Sequence, residues 1–216
     1  MADVDPRLRS AVEAQLSAWR AALEGGAERV GWKLGTGDRE RIGPGPVVGH
    51  LTSATQLVPG GVFDAAGASA LHADAEVALT LARDVPPGDA ADDAIARYGV
   101  ALELVDLGGS DDPEQIVASN VFHRAFALGS LDRPPPVPAS VTARLLVNGD
   151  VRGEAAAAHD QAELVQAVAE VLGAVGERLR AGDRLITGSV VQVPVQPGDE
   201  VVADMRGLGR VRVMVR

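Results

Sequence analysis

The chain has 216 residues, 46% of them hydrophobic, a formal net charge of −10 and no cysteine. That length and apolar share can build a core and exclude a disordered chain, while the missing thiols exclude disulfides, a cysteine nucleophile and thiolate metal sites. An acidic chain with 3% aromatic residues offers neither a basic face nor stacking platforms, so no nucleic acid is expected as a partner.

In chain order, Asp5 and Pro6 suit a helix N-cap and first turn. Leu8, Ala11, Val12, Gln15, Leu16, Trp19 and Leu23 then recur at helical spacing until Gly25 and Gly26, which predicts a helix over about residues 5–24. This opening stretch is charged and amphipathic, and no window reaches the roughly 18 uninterrupted apolar residues of a membrane span, so a cytoplasmic protein without a membrane partner is expected. Residues 30–34 predict a short strand, 35–46 a loop rich in glycine and charge, and 47–62 a strand, a turn at Pro59-Gly60-Gly61 and a second strand. From Leu71 to Leu81 the alternation is sharp: Leu71, Ala73, Ala75, Val77, Leu79 and Leu81 share one face, and His72, Asp74, Glu76, Ala78 and Thr80 the other.

Pro86-Pro87-Gly88 breaks the chain, 89–98 predicts a short helix, and 100–107 is an apolar run interrupted by Glu103 and Asp106, as in a strand buried on both faces. Asp112-Pro113-Glu114 opens another short helix, and the prolines of 134–138 form an extended connector. Residues 141–147 and 151–156 flank Asn148-Gly149-Asp150, a hairpin with a type I′ turn. Asp160 with Glu163 starts a second long helix carrying Leu164, Val168, Val171, Leu172, Val175 and Leu179. Strands punctuated by Pro197-Gly198-Asp199 and Gly207-Leu208-Gly209 fill 185–215. A few helices against roughly ten short strands, without regular βαβ alternation, predict a strand-dominated α+β fold in one domain spanning residues 1–216.

Asp74 and Glu76 project from one strand face a few ångströms apart, and Glu103 interrupts an apolar strand. Either the first two form a solvated face and Glu103 pairs with an arginine, or the three acids hold a hard cation such as Mg²⁺ or Mn²⁺. Lys33 is the one lysine among 20 basic residues. Lysine can release a proton when desolvated, which arginine cannot, and Trp32 between the flanking glycines could shield it. Thr187-Gly188-Ser189 offers hydroxyls and N–H groups to a carboxylate or is a simple turn, His123 is an acid–base group or a helix-end side chain, and His72 shares a face with the acids.

The ordered series Gly31-Trp32-Lys33-Leu34-Gly35, Gly49-His50-Leu51, Asp74-Ala75-Glu76-Val77-Ala78, Leu102-Glu103-Leu104-Val105-Asp106, residues 120–129, Asn148-Gly149, Thr187-Gly188-Ser189, Pro197-Gly198-Asp199 and Gly207-Leu208-Gly209 resembles the fumarylacetoacetate hydrolase superfamily. Within it the chain is similar to the 2-keto-4-pentenoate hydratases and 4-oxalocrotonate decarboxylases. The resemblance implies a mixed β-roll with flanking helices, a homo-oligomer, a role in aromatic compound catabolism, and a divalent metal held by Asp74, Glu76 and Glu103. It implies Lys33 as the active-site lysine, Ser189 with Thr187 and Asn120 as substrate-binding groups, and a metal-dependent lyase acting on a small 2-oxo or 2-hydroxydienoic acid. Acylpyruvate C–C hydrolysis and a silent acid-binding scaffold are the alternatives. The chain departs from the family at Asp74, where glutamate is usual, at Asp106-Leu107-Gly108, which lacks an arginine, and at Thr52-Ser53-Ala54-Thr55, which lacks an acid that His123 would replace.

Overall fold

The computed structural model describes residues 6–35, 39–42, 46–136, 140–157 and 160–216; the expected cap Asp5, and His159, lie outside them. Helix α1 (Pro6–Glu24) buries Ala11, Val12, Gln15, Leu16 and Trp19, the stripe expected from the sequence. Gln15 donates to the carbonyl of Val117 at 2.7 Å, fastening α1 to helix α3 (Pro113–Ala118). Strand β1 (Arg29–Gly35), the one-turn helix α2 (Arg39–Ile42) and strand β2 (Val47–Thr52) follow α1. The 47–62 segment then yields two short strands, β3 (Gln56–Leu57) and β4 (Val62–Phe63), which join different sheets.

Strand β5 is Leu71–Leu81, as the alternation predicts, but its polar face is not solvated: Asp74, Glu76 and Ala78 are buried, and His72 and Thr80 are half-buried. Strand β6 runs Ile95–Asp106, so no helix covers 89–98. The reason is Arg83, which donates to the Ala90 carbonyl at 2.6 Å and pairs with Asp93 at 2.5 Å, so that the segment wraps a guanidinium instead of coiling. After α3 come β7 (His123–Leu128) and the expected hairpin of β8 (Val141–Val147) and β9 (Asp150–Ala157). Its turn residues Asn148 and Gly149 both have positive φ, 54° and 89°, as a type I′ turn requires. Helix α4 (Gln161–Ala174) is capped by the Asp160 carboxylate and stops short of Leu179, because Gly176 takes a positive φ and turns the chain away. Strands β10 (Arg184–Pro194), β11 (Glu200–Met205) and β12 (Gly209–Val215) complete the chain.

The strands form a seven-stranded sheet in the order β2-β1-β10-β5-β6-β7-β3 and a five-stranded sheet β4-β12-β11-β8-β9. Both are mixed: β1 with β10, β3 with β7 and β4 with β12 are parallel, among antiparallel pairs. β2 and β3 lie at opposite edges of the larger sheet, yet Thr52 and Gln56 are four links apart, at most about 15 Å of chain. The sheet must therefore curl until its edges meet, and the Phe126 amide bonds the Thr55 carbonyl at 3.0 Å where they do. Val30, Leu51, Ala78, Ala101, Phe126, Leu128 and Ile186 fill the inside of this roll as a separate apolar cluster. The outer face of the roll, the five-stranded sheet and the helices share one larger core. Ala78 lies two residues from Glu76 and Ala101 two from Glu103, so period-two geometry places those acids inside the roll, beyond its apolar plug. No helix among the described residues is long and apolar enough to cross a membrane.

Candidate active site

Sheet register explains how the acids meet. Asp74 and Glu103 are directly opposed on β5 and β6, and Glu76 lies two residues along on β5, opposite Ser189 of β10. One carboxylate oxygen from each of the three acids lies within 4.8 Å of the others, and the residues are 5%, 1% and 1% exposed. A solvated face is excluded by these exposures. Lys33, from the parallel neighbour β1, places Nζ 2.5 Å from Glu103 Oε1 and donates to the Val121 carbonyl at 3.0 Å.

One lysine cannot balance three buried carboxylates, and the protonation pattern reflects this. Burial pushes Asp74 up to about 7, with the Glu103 charge adding to it. Burial, then Glu103, holds Glu76 well above its ordinary value, and its retained proton supports a hydrogen bond to Glu103. Burial would raise Glu103 too, but the Lys33 charge and the His123 hydrogen bond outweigh it and bring the group to about 2. The donor set, all oxygen, buried and over-charged, fits a hard divalent cation. With one oxygen of each acid within 4.8 Å of the others, a single ion could be reached by all three.

His123 stands behind this cluster rather than in it. Its Nδ1 lies 2.6 Å from Glu103 Oε1 and its Nε2 2.9 Å from Thr55 Oγ1. Burial first, and the Lys33 charge after it, lower its pKa against the pull of Glu103, so the ring is neutral. With Glu103 ionised, the network assigns the proton to Nδ1, and the Thr55 hydroxyl caps the lone pair on Nε2. The expected acid–base histidine therefore orients Glu103 and has no free lone pair. Thr55, which the sequence alone does not single out, closes the chain Lys33–Glu103–His123–Thr55 around the roll.

The remaining polar residues divide. Thr187-Gly188-Ser189 is not a turn but an irregular stretch within β10, where Ser189 donates to Asp74 Oδ1 at 3.1 Å and the Gly188 amide donates to Glu76 Oε2 at 2.8 Å, so it orients two of the acids. Thr187 and Asn120, expected at the substrate, are committed to the protein's own backbone. Thr187 donates to the Val77 carbonyl at 3.3 Å, and Asn120 pairs with both backbone groups of His50, at 2.8 and 3.0 Å. Neither lines the cavity. His72 bonds the Ala70 carbonyl and is also outside it. Trp32 does not shield Lys33: adjacent residues of a strand point to opposite faces, and Trp32 packs against Trp19 at 5.1 Å, with Arg29 over both rings.

Asn120, Val121 and Phe122 have φ of 67°, 54° and 63°, a left-handed run that costs about 1–2 kcal/mol at each L residue. The Asn120 clamp on His50 and the bond from the Val121 amide to the Ile116 carbonyl hold it. The result is a Val121 carbonyl turned toward Lys33. Gly49 completes this arrangement. A Cβ there would lie 2.7 Å from both Lys33 Cγ and Asn120 Oδ1. Gly49→Ala is expected to destabilise the protein by about 1–3 kcal/mol and to displace Lys33, which urea unfolding and activity of the same variant would measure.

The acids, Lys33 and Ser189 open onto a cavity of about 410 Å³ whose other walls include Leu34, Ile42, Val105, Leu107, Val121 and Phe122. It is a concave, mostly apolar pocket with a few convergent polar groups, the ordinary form of a small-molecule site.

The chain is 28% identical over 179 residues to the 2-hydroxyhexa-2,4-dienoate hydratase of Comamonas testosteroni, covering 76% of this chain and 68% of the hydratase. It is 27% identical over 154 residues to Protein Rv2993c of Mycobacterium tuberculosis, covering 67% of this chain and 56% of that protein. The fold superposes on the 4-oxalocrotonate decarboxylase of Pseudomonas putida G7, solved with calcium and acetate, with a TM-score of 0.84 and 25% identity over 95% of this chain and 85% of the other. The same decarboxylase solved with magnesium and adipate gives 0.85 and 24% over the same shares. With the model of the fumarylacetoacetate (FAA) hydrolase C-terminal family matching residues 42–216, the segment that carries the three acids and Ser189, the chain belongs to that family.

Proposed function

We propose that this protein is a divalent-metal-dependent lyase, of the hydratase or decarboxylase type, acting on a small 2-oxo or 2-hydroxydienoic acid. The observation that carries the proposal is the buried Asp74, Glu76 and Glu103 cluster with Lys33 at 2.5 Å, open to a cavity of small-acid size. The hydratase and decarboxylase relatives, and the calcium and magnesium bound to the latter, support it.

A Mg²⁺ or Mn²⁺ ion held by Asp74, Glu76 and Glu103 would supply Lewis-acid polarisation of a 2-oxo carboxylate. The protein's own groups divide the remaining work. With the three acids given over to the ion, Lys33 is the lining side chain left to move a proton, and its Nζ is held between Glu103 Oε1 and the Val121 carbonyl. His123 and Thr55 fix Glu103 so that one oxygen faces Lys33, and Ser189 and Gly188 fix Asp74 and Glu76. In this role His123 is a positioning residue. The acids themselves are buried from solvent, which strengthens the charge interactions among them.

The test is turnover of 2-hydroxypenta-2,4-dienoate and of a 2-oxo-3-enedioate in excess Mg²⁺ and in EDTA. Hydration or CO₂ release that stops in EDTA is expected. Full turnover in EDTA would exclude the metal-dependent mechanism, and cleavage of an acylpyruvate into two acids, with neither lyase activity, would identify a hydrolase instead.

A further inference from the structure

Strand β10 brings two polar side chains to the cavity, Ser189 and Gln192. In an unbroken strand, residues three apart face opposite ways, and one of the two would point out of the roll. β10 differs because its register on β5 slips between Ile186 and Ser189 and again between Ser189 and Val191, which leaves Ser189 opposite Glu76 and Gln192 opposite Asp74. Opposed residues of an antiparallel pair share a face, so the second slip turns Gln192 onto the face of the acids, a common use of a bulge beside a functional site. The bulge is held from the other side by strand β9. There Val191 and Val193 close on Gly153, where a Cβ would stand 2.7 Å from Val191 Cγ2 and 2.9 Å from Val193 Cγ1.

Ser189 already donates to Asp74, and the Gln192 amide hydrogen-bonds the same carboxyl group. Asp74 is 5% exposed, while Gln192 is exposed and sits farther than Ser189 from the Ile186–Ala78 pair of the apolar plug. Gln192 therefore lies on the solvent side of Asp74, where an incoming acid must pass it. A primary amide carries two N–H donors, and Asp74 takes one of them. We infer that Gln192 is a substrate-binding residue, whose second N–H donates to a carboxylate oxygen of the 2-oxo acid head where that head lies beside Asp74. The inference rests on the proposed binding of the head at the three acids. Gln192 thereby takes the part that the sequence suggests for Thr187 and Asn120, both of which are spent on backbone. An N–H given to a charged oxygen is among the stronger hydrogen bonds, so its loss is measurable in binding.

Calorimetry of the full chain tests this, with oxalate as an unreactive stand-in for the head, in the unaltered protein and in Gln192→Met. Methionine keeps the length of the side chain and removes both N–H groups, and the position is exposed, so the variant should fold. Mg²⁺ binding is measured first, and oxalate binding is then measured at saturating Mg²⁺. The expected result is oxalate binding weakened about tenfold in Gln192→Met, a loss that further Mg²⁺ does not recover. A loss that further Mg²⁺ recovers in full would make Gln192 a support of Asp74 alone and overturn the substrate contact. Unchanged oxalate binding would overturn it as well, and either result leaves the head site standing. No oxalate binding by the unaltered protein in Mg²⁺ would overturn the head site, and the assignment of Gln192 with it.

Discussion

Lys33→Ala is expected to lower turnover by about 10²- to 10⁴-fold, the range for loss of a positioned proton-transfer group, while Mg²⁺ and oxalate still bind. The three acids stay in place in this variant, so calorimetry separates a lost proton-transfer group from a collapsed site. Removing the ammonium also leaves Glu103 buried with no positive charge beside it, only the hydrogen bonds of His123 and of protonated Glu76. Breaking one side of a buried ion pair costs about 3–5 kcal/mol, so the metal-free variant should unfold at much lower urea than the parent. Glu103 is held at about 2 in the parent, so its contribution is present above the ordinary carboxylate value near 4.5 and lost as pH falls toward 2. The variant's deficit should therefore be largest above about pH 5. Lys33→Arg should not restore turnover. Gly49 packs closely against the lysine stem, and a guanidinium does not release a proton. A chain with 19 arginines supplies positive charge readily in that form, so turnover sustained by either variant would remove the proton-transfer role from Lys33.

How far the sequence reveals this site follows from the range of the interactions involved. The period-two alternation of β5 aligns Asp74 and Glu76 by local geometry, and an acid in the middle of an apolar strand marks Glu103. The same rule forbids Trp32 from covering Lys33, since neighbours on a strand face opposite ways. His123 and Thr55 are different. They meet because the seven-stranded sheet closes on itself and because the β6–β7 register slips between Leu104 and Val105. Neither feature leaves a local signal. Thr187 and Asn120 look like ligand groups from composition, but a polar side chain inside a folded protein is most often spent on backbone, and which backbone depends on contacts many residues away. The predicted helix over 89–98 fails for a related reason. Its local propensity loses to one arginine on the preceding turn, whose bonds to Ala90 and Asp93 are tertiary.

Mg²⁺ is expected to stabilise the protein much more at about pH 8 than at about pH 5. Without the ion, Asp74 keeps its proton up to about 7 because burial, and then the Glu103 charge, oppose its ionisation, and Glu76 is raised well above its ordinary value by the same two causes. In the unfolded chain both groups titrate near their ordinary values of 3.8 and 4.5. Between those values and the folded ones the native state binds more protons than the unfolded state, so stability declines as pH rises through that window, by about 1.4 kcal/mol per pH unit per group. For Asp74 alone the window of roughly three units amounts to about 4 kcal/mol. Glu103 acts in the opposite sense, but its window, from about 2 to 4.5, is complete before pH 5. A cation bound by the ionised acids takes the place of those protons, so it binds more tightly as pH rises and releases protons when it binds. Urea unfolding in excess Mg²⁺ and in EDTA at the two pH values measures both halves of this. The metal-free protein should lose stability from pH 5 to pH 8, the loss should be recovered in Mg²⁺, and Glu76→Gln should flatten the metal-free slope and weaken the recovery. A metal-free protein as stable at pH 8 as at pH 5, with an Mg²⁺ effect independent of pH, would mean that the three acids are not a cation site waiting on their protons.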